Sequence, residues 1–548
     1  MQPFRLDLGT RPACLALIAA GLLAYCFSFS GGFVFDDTYI PDNESLRHWQ
    51  TWLTPPHDGS PVDSRPLTNL SMGINYAVAG TRVGFYHLTN IVIHIGCALL
   101  LYGIVRRTLA SFGETWLRDS SLLAFTAAAL WLLHPLQTES VAYISQRAEN
   151  LMGFCYFATL YCFIRGRENT PWLLASIVVC WLGMLAKEVM VTAPVIIALY
   201  AWFFPATNPL PRKQNLLYFL GLFASLLVMG WLALHEGNRG GAVGDAMGEN
   251  ISSAVYATTQ VWSVTRYLKL IFWPSPLIFD YGNMVYSLRA VAPLIPVLSL
   301  LILTALWGTL HRRWWAFCLI WFFLILSPTS TVISLSMQTA AEHRVYLSLA
   351  GIAVLAVILL YRLLRYWGIV LLLVAAVALT HLTVLRVADY HSMLSLWTDT
   401  VKKNPGNPRA YLNLGSALYN VGDARDAIPQ FKTAIALSPE YGMPWYDMGV
   451  SYLALKRYHD ARLALDKALT LYRTPDVYAA TGRAYCFDGD PKAGIPYIQK
   501  ALLINEKYAL AHYFLAQAYI QVGNKEGAAE EVKRLSVLAP AMVPSVSP

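Results

Sequence analysis

The stretch Gly32-Phe-Val-Phe-Asp-Asp-Thr-Tyr-Ile-Pro-Asp-Asn43 follows the first hydrophobic run of the chain. It sets two adjacent carboxylates, Asp36 and Asp37, where a membrane helix emerges into water. A charged pair at a bilayer edge costs desolvation free energy unless it is hydrated, paired or used. The plainer reading is a stop signal at the interface. The chemical one is a general base or a seat for a cation. The rest of the chain decides how far the second is worth pursuing.

Of 548 residues, 56% are hydrophobic and only 14% charged, and the mean hydropathy is +0.44. Such a chain is too apolar for a soluble protein and reads as a polytopic, all-helical membrane protein. The apolar runs lie between about 13 and 388, and residues from about 390 onward read as soluble. The formal charge of +8 needs no nucleic acid, because Arg and Lys between spans set topology. Six of the eight cysteines lie in apolar runs, and no spacing resembles a zinc site or a disulfide framework. Arg5 and Arg11 before the first run resemble a signal peptide, but the long run without a small-residue cleavage site is expected to stay as a helix.

Eleven spans are expected, at about 13–33, 83–102, 120–134, 150–164, 172–186, 189–204, 215–234, 290–310, 314–330, 345–361 and 367–386. Arg5/Arg11, Arg106/Arg107, Arg165/Arg167, Arg212/Lys213, Arg312/Arg313 and Arg362/Arg365 then all fall in the cytoplasm. This requires segment 251–273 to lie in the interface rather than cross. The N-terminus is inside and the C-terminal part outside. The polar loops at 35–82, 134–150, 187–188, 235–286 (including a Gly-rich stretch, 235–250) and 327–344 then share the outer face.

Beyond a linker at 389–406, the chain repeats itself. Gly415, Gly449, Gly482 and Ala516 recur, as do Ala434, Ala468 and Ala501, with a period near 34 residues. Small residues at that spacing let paired helices approach, which is the tetratricopeptide pattern. Four repeats are expected over 407–541, with a short tail at 542–548. Such arrays bind or space partners rather than do chemistry. Docking onto the membrane half is the alternative use.

The outer loops carry Arg65, Arg147, Lys187-Glu188 and Arg344 around the acidic pair. A carboxylate base ringed by Arg and Lys at a membrane face suits a polyprenyl-phosphate sugar donor. The base would deprotonate an acceptor hydroxyl while the cations hold the leaving phosphate. A monophosphate neutralised by Arg and Lys demands no metal, and no nucleotide loop, nucleophile elbow or metal-ligand spacing occurs, so no cofactor is expected. Each residue also has a bland reading. His87 and His94 are packing or hydrogen-bonding groups on one helix. Glu139 and Arg147 pair across their loop, Lys187 and Glu188 satisfy each other, and Arg344 bridges to Glu342 instead of binding phosphate. Trp273-Pro-Ser-Pro-Leu-Ile-Phe-Asp280-Tyr281 is an interfacial anchor or the rim of a sugar or lipid site.

Several short motifs occur in a fixed order: Phe35-Asp-Asp-Thr-Tyr-Ile, Arg65-Pro-Leu with Asn75-Tyr, Tyr86-His-Leu-Thr-Asn90 with His94, His134-Pro-Leu-Gln-Thr-Glu139 with Arg147-Ala-Glu, Lys187-Glu188, and Glu342-His-Arg-Val-Tyr346. With the appended repeats, the chain resembles the transmembrane and tetratricopeptide-repeat-containing O-mannosyltransferases of the GT-C superfamily, or a bacterial relative of them. The resemblance implies a GT-C-type membrane bundle and an inverting glycosyltransferase with Asp36 or Asp37 as catalytic base. It implies a dolichyl- or undecaprenyl-phosphate sugar as donor, mannose first, and a hydroxyl acceptor, protein Ser or Thr, on the outer face. Placement follows: a bacterial inner membrane with periplasmic repeats, or the endoplasmic reticulum membrane in a eukaryote. Two rivals remain, an O-antigen-ligase or oligosaccharyltransferase-like enzyme and a non-catalytic repeat-bearing membrane scaffold.

Overall fold

The computed structural model describes residues 8–206, 209–235, 252–330 and 338–545. Arg5, residues 236–250 of the Gly-rich stretch and the last three tail residues lie outside them. Among the described residues every regular element is helical. They form two compact units, one up to Leu396 and one from Trp397 onward.

The first unit is a bundle of apolar helices. Among the described residues, four are long and apolar enough to cross a bilayer, namely Thr10–Ser30, Val83–Ala110, Arg212–Leu232 and Tyr366–Asp389. The expectation of eleven spans is corrected on this point, and the reasons are physical. A hydrocarbon core about 30 Å thick calls for about 20 apolar residues at a rise of about 1.5 Å each. Pro171–Met184, Glu188–Phe203, Ile295–Leu310, Trp314–Leu326 and Leu349–Leu364 are apolar but have 10–17 residues. Helix Glu114–Leu132 opens on Glu114, Arg118 and Asp119, and helix Arg147–Gly166 carries Arg147, Glu149 and Arg165. Segment 251–273 holds a 20-residue helix, Ser253–Phe272, which is not one of the four.

Aromatic side chains close the bundle core. Trp131 is fully buried and donates its indole N–H to the Tyr346 carbonyl at 2.8 Å. His94 sits against the Trp131 ring, with ring nitrogens 2.9 Å from the Tyr346 hydroxyl and 3.0 Å from the Leu132 carbonyl. It is the satisfied core histidine of the plainer reading. Gly351 lets its helix meet the preceding one, Trp314–Leu326: a Cβ there would lie 2.6 Å from the Cys318 carbonyl oxygen.

The second unit contains four helix pairs, beginning at Pro408, Gly442, Pro475 and Ala509. Asn407 and Thr474 cap first helices, and Asp423, Asp490 and Asn524 cap second ones, by accepting from backbone N–H groups. The recurring small residues fall where the two helices of a pair touch. A Cβ on Gly415 would lie 2.5 Å from Phe431, and one on Gly482 would lie 2.4 Å from Ile498.

Candidate active site

The acidic stretch is shaped by Phe35, whose φ of +49° puts a side-chain-bearing residue in the left-handed region. Such a conformation costs about 1–3 kcal/mol and persists only where surroundings enforce it. Here the Phe35 ring packs edge-on against Phe279, with centroids 5.8 Å apart, and the Gly32 amide donates to the His391 carbonyl at 3.0 Å. The short 3-10 turn Phe35–Tyr39 follows and sends its two carboxylates different ways.

Asp37 is fully buried. Its Oδ1 accepts from the Ser145 amide at 2.6 Å and hydroxyl at 2.5 Å, and its Oδ2 from the Val34 and Ile144 amides at 3.3 Å each. Burial pushes its carboxyl up to about 7 against the pull of those donors, and the neighbouring Asp36 charge adds to the rise. Asp36 is exposed. Its amide donates to the Tyr143 hydroxyl at 3.2 Å, and that hydroxyl also hydrogen-bonds the Asp36 carboxylate. Phe279 packs against Tyr143, with centroids 5.4 Å apart. One carboxylate therefore staples the turn to Ile144–Ser145, and the other faces solvent.

Arg147 is fully buried, and four partners take its donors: Asn90 Oδ1 at 2.7 Å, the Tyr86 carbonyl at 2.8 Å, the Ser71 carbonyl at 3.3 Å, and Asn75 Oδ1. The guanidinium also lies 5.6 Å from the centre of the Tyr86 ring. It joins the helices that begin at Pro66, Val83 and Arg147, and neither binds Glu139 nor faces solvent. That corrects the expected pairing with Glu139 and leaves the guanidinium inside the bundle. His87, 1% exposed, shows no hydrogen-bond partner on either ring nitrogen among the described residues.

The remaining expected residues meet in a second cluster, with pairings that differ from those read along the chain. Lys187 does not pair with Glu188. Its Nζ lies 2.6 Å from Glu149 Oε1, both side chains buried. Glu188 faces Arg65 at 3.9 Å. Lys187 has extended backbone, φ −162° and ψ 149°, so its side chain and that of the next residue point apart. Glu139 accepts from the His343 amide at 3.1 Å and holds His343 Nδ1 at 2.6 Å. Glu342 accepts from the Ile278 amide at 2.7 Å and the Tyr281 hydroxyl at 2.8 Å through one oxygen. Arg344 does not bridge to Glu342 either. It donates to the Gln338, Thr329 and Thr339 carbonyls at 2.5, 3.2 and 3.3 Å. Residues two apart on a helical turn do not face one another. The stretch through Tyr281 accordingly reads less as an interfacial anchor than as a wall of this cluster, although Trp273 itself is 69% exposed.

Electrostatics ties the cluster together. Burial holds the His343 imidazole well below its usual range, and Lys187, Arg344 and Arg65 push in the same direction while Glu149 opposes. Burial likewise raises Glu139 and Glu342 to about 7, with Arg386 the strongest opposing charge for each. Among these cations Arg65 is the least committed. Nη1 donates to the Pro61 carbonyl at 3.0 Å, Nε has no hydrogen-bond partner among the described residues, and the side chain is 23% exposed. Its segment is held by the Leu67 amide, which donates to the Leu185 carbonyl at 3.1 Å. Tyr143 and Ser145 carry no signal in the sequence, whereas Glu149 closes the Arg147-Ala-Glu motif and Phe279 belongs to the stretch Trp273-Pro-Ser-Pro-Leu-Ile-Phe-Asp280-Tyr281. The described residues include no group of three or more His, Cys, Asp or Glu placed to hold a metal ion.

A family model described as tetratricopeptide repeat matches residues 412–477. A curated protein O-mannosyl-transferase of Caenorhabditis elegans is 26% identical over 457 residues, covering 78% of this chain and 63% of that protein. This chain is similar to the protein O-mannosyl-transferases. Protein O-mannosyl-transferase TMTC2 of Homo sapiens is 28% identical over 300 residues, covering 48% of this chain and 34% of its own length. The Tmtc3 protein O-mannosyl-transferase of Drosophila melanogaster is 25% identical over 553 residues, covering 84% and 58%. The chain thus spans between about a third and under two thirds of the length of these O-mannosyl-transferases. A solved structure of MamA from Desulfovibrio magneticus RS-1 aligns with 27% of this chain and 84% of its own, at 24% identity and a TM-score of 0.26.

Proposed function

We propose that the protein is an integral-membrane glycosyltransferase that moves a sugar, mannose first, from a polyprenyl-phosphate donor to a protein Ser or Thr hydroxyl on the outer face. The names of its relatives support transfer to protein. The observation that carries the catalytic assignment is the split of the acidic pair, with Asp37 buried under four donors and Asp36 exposed beside Tyr143.

Asp36 is the base. Its carboxylate takes the proton of the acceptor hydroxyl as that oxygen attacks the anomeric carbon of the sugar. The bond from that carbon to the phosphate oxygen breaks, its electron pair leaves with the lipid phosphate, and a single displacement inverts the centre. Arg65 and Lys187 stabilise the charge developing on the phosphate. Asp37 positions the turn. The tetratricopeptide repeats bind the acceptor or its carrier.

The test is sugar transfer from labelled polyprenyl-phosphate mannose to a pool of Ser/Thr-rich peptides by the purified protein in detergent. Asp36→Asn is expected to lower transfer by at least a hundredfold with unchanged elution and melting. Wild-type-like transfer by Asp36→Asn would remove Asp36 from the chemistry.

A further inference from the structure

The helices that carry the candidate site at one end enclose an apolar groove near the other. Helix Val83–Ala110 places Tyr86 and Asn90 beside Arg147, and Leu101 and Val105 in the groove. Asn90 and Val105 are about 22 Å apart along that helix axis. Helix Leu349–Leu364 starts just after Arg344 and brings Ile358 into the groove. Phe157, Phe317 and Trp321 add aromatic surface to the lining. Polar groups at its wall are already satisfied: the Thr108 and Tyr200 hydroxyls bond each other at 2.6 Å, and the Trp321 indole N–H donates to the Leu347 carbonyl at 3.0 Å.

The mouth of the groove is cationic and aromatic. Phe112 lines both the groove and an adjoining polar recess formed with Glu114, Trp116, Arg362 and Arg365. The Arg362 guanidinium lies 4.9 Å from the centre of the Trp314 ring, on the groove side, and 5.4 Å from that of Trp116, on the recess side. Arg365 lies 5.5 Å from the Tyr361 ring. Both arginines are exposed, and they line the recess together with one acidic residue, Glu114. Asp119 is not available to neutralise them, because it is buried and accepts from the Tyr361 and Tyr366 hydroxyls.

We propose that this groove and its rim bind an anionic phospholipid, with an acyl chain along Leu101, Val105 and Phe317 and the head-group phosphate at Arg362 and Arg365. An apolar slot continuous with stacked Trp and Arg has the two-part chemistry of such a lipid, whereas a zwitterionic head group brings its own cation to two arginines. The site lies away from the acidic turn and does not depend on the transfer reaction.

Native mass spectrometry of the purified, delipidated full chain tests this, with phosphatidylglycerol or phosphatidylcholine added in equal amounts. The wild type is expected to retain one phosphatidylglycerol and at least tenfold less phosphatidylcholine. Arg362→Gln with Arg365→Gln is expected to lose that preference, and Val354→Trp, which fills the groove wall, to lose the bound lipid. Arg362→Lys with Arg365→Lys keeps the charge and is expected to keep the lipid, which separates head-group binding from damage to the fold. Equal retention of the two lipids by the wild type would overturn the proposal. So would undiminished phosphatidylglycerol in both the Gln and Trp variants, or a dimer that dissociates in Val354→Trp without lipid loss.

Discussion

Asp36 and Asp37 are neighbours in sequence and opposites in environment, and replacing each by Asn separates the two roles. Asp37→Asn would turn an NH2 group toward backbone amides that now meet a carboxylate oxygen. Leaving such donors unsatisfied costs about 1–3 kcal/mol, so this variant is expected to melt several degrees below the wild type, whereas Asp36→Asn is not. The existence of the pair was legible from the chain alone. Which carboxylate is buried was not, because that depends on the left-handed Phe35 and on Ser145, more than a hundred residues away. Glu342 offers a pH signature. Its carboxyl is raised to about 7 by burial, above the value of about 4.3 for an unfolded chain. The native state therefore binds the proton more tightly, and the stability this contributes is present in full below about pH 4 and lost as pH rises through 7. Glu342→Gln keeps an oxygen acceptor for the Ile278 amide and the Tyr281 hydroxyl. Its melting temperature is expected to fall less steeply between pH 5 and 8 than that of the wild type, and parallel curves would contradict this assignment.

For the elements, length and close approach decide what periodicity leaves open. The repeats were legible because their small residues are forced. A Cβ on Gly449 would lie 2.5 Å from Leu465, while one on Gly406 would meet nothing within 4 Å. Gly449→Ala is expected to cost about 1–3 kcal/mol by overpacking, and Gly406→Ala to stay within about 0.5 kcal/mol of wild type. Thermal unfolding of the full chain followed by circular dichroism checks the difference. The membrane half was less legible. Hydropathy locates apolar runs but does not say where a helix stops: a turn at Ala224–Ser225 breaks the run expected at 215–234, whereas the turn at Leu185–Lys187 falls where the runs at 172–186 and 189–204 read as separate. The same turns direct side chains. Extended backbone at Lys187 sends it toward Glu149, a partner that reading neighbours along the chain does not supply.

Across the whole molecule, the candidate site draws on segments around residues 36, 65, 143–149, 187 and 342–344, joined by charges that water scarcely reaches. Buried ion pairs are ambiguous evidence of purpose, because removing one partner is costly while removing both is often nearly neutral. That asymmetry separates stability from chemistry at Lys187. Lys187→Met alone leaves Glu149 buried without its cation and is expected to cost about 3–5 kcal/mol. Lys187→Met with Glu149→Leu removes both charges and is expected to recover most of that loss in a thermal melt. If Lys187 also steadies the leaving phosphate, the double variant will remain at least tenfold below wild type in transfer despite its restored fold. Equal recovery of melting temperature and transfer would make the pair a tether between helix Arg147–Gly166 and the turn before Ala193, and leave Arg65 as the cation to test at the phosphate.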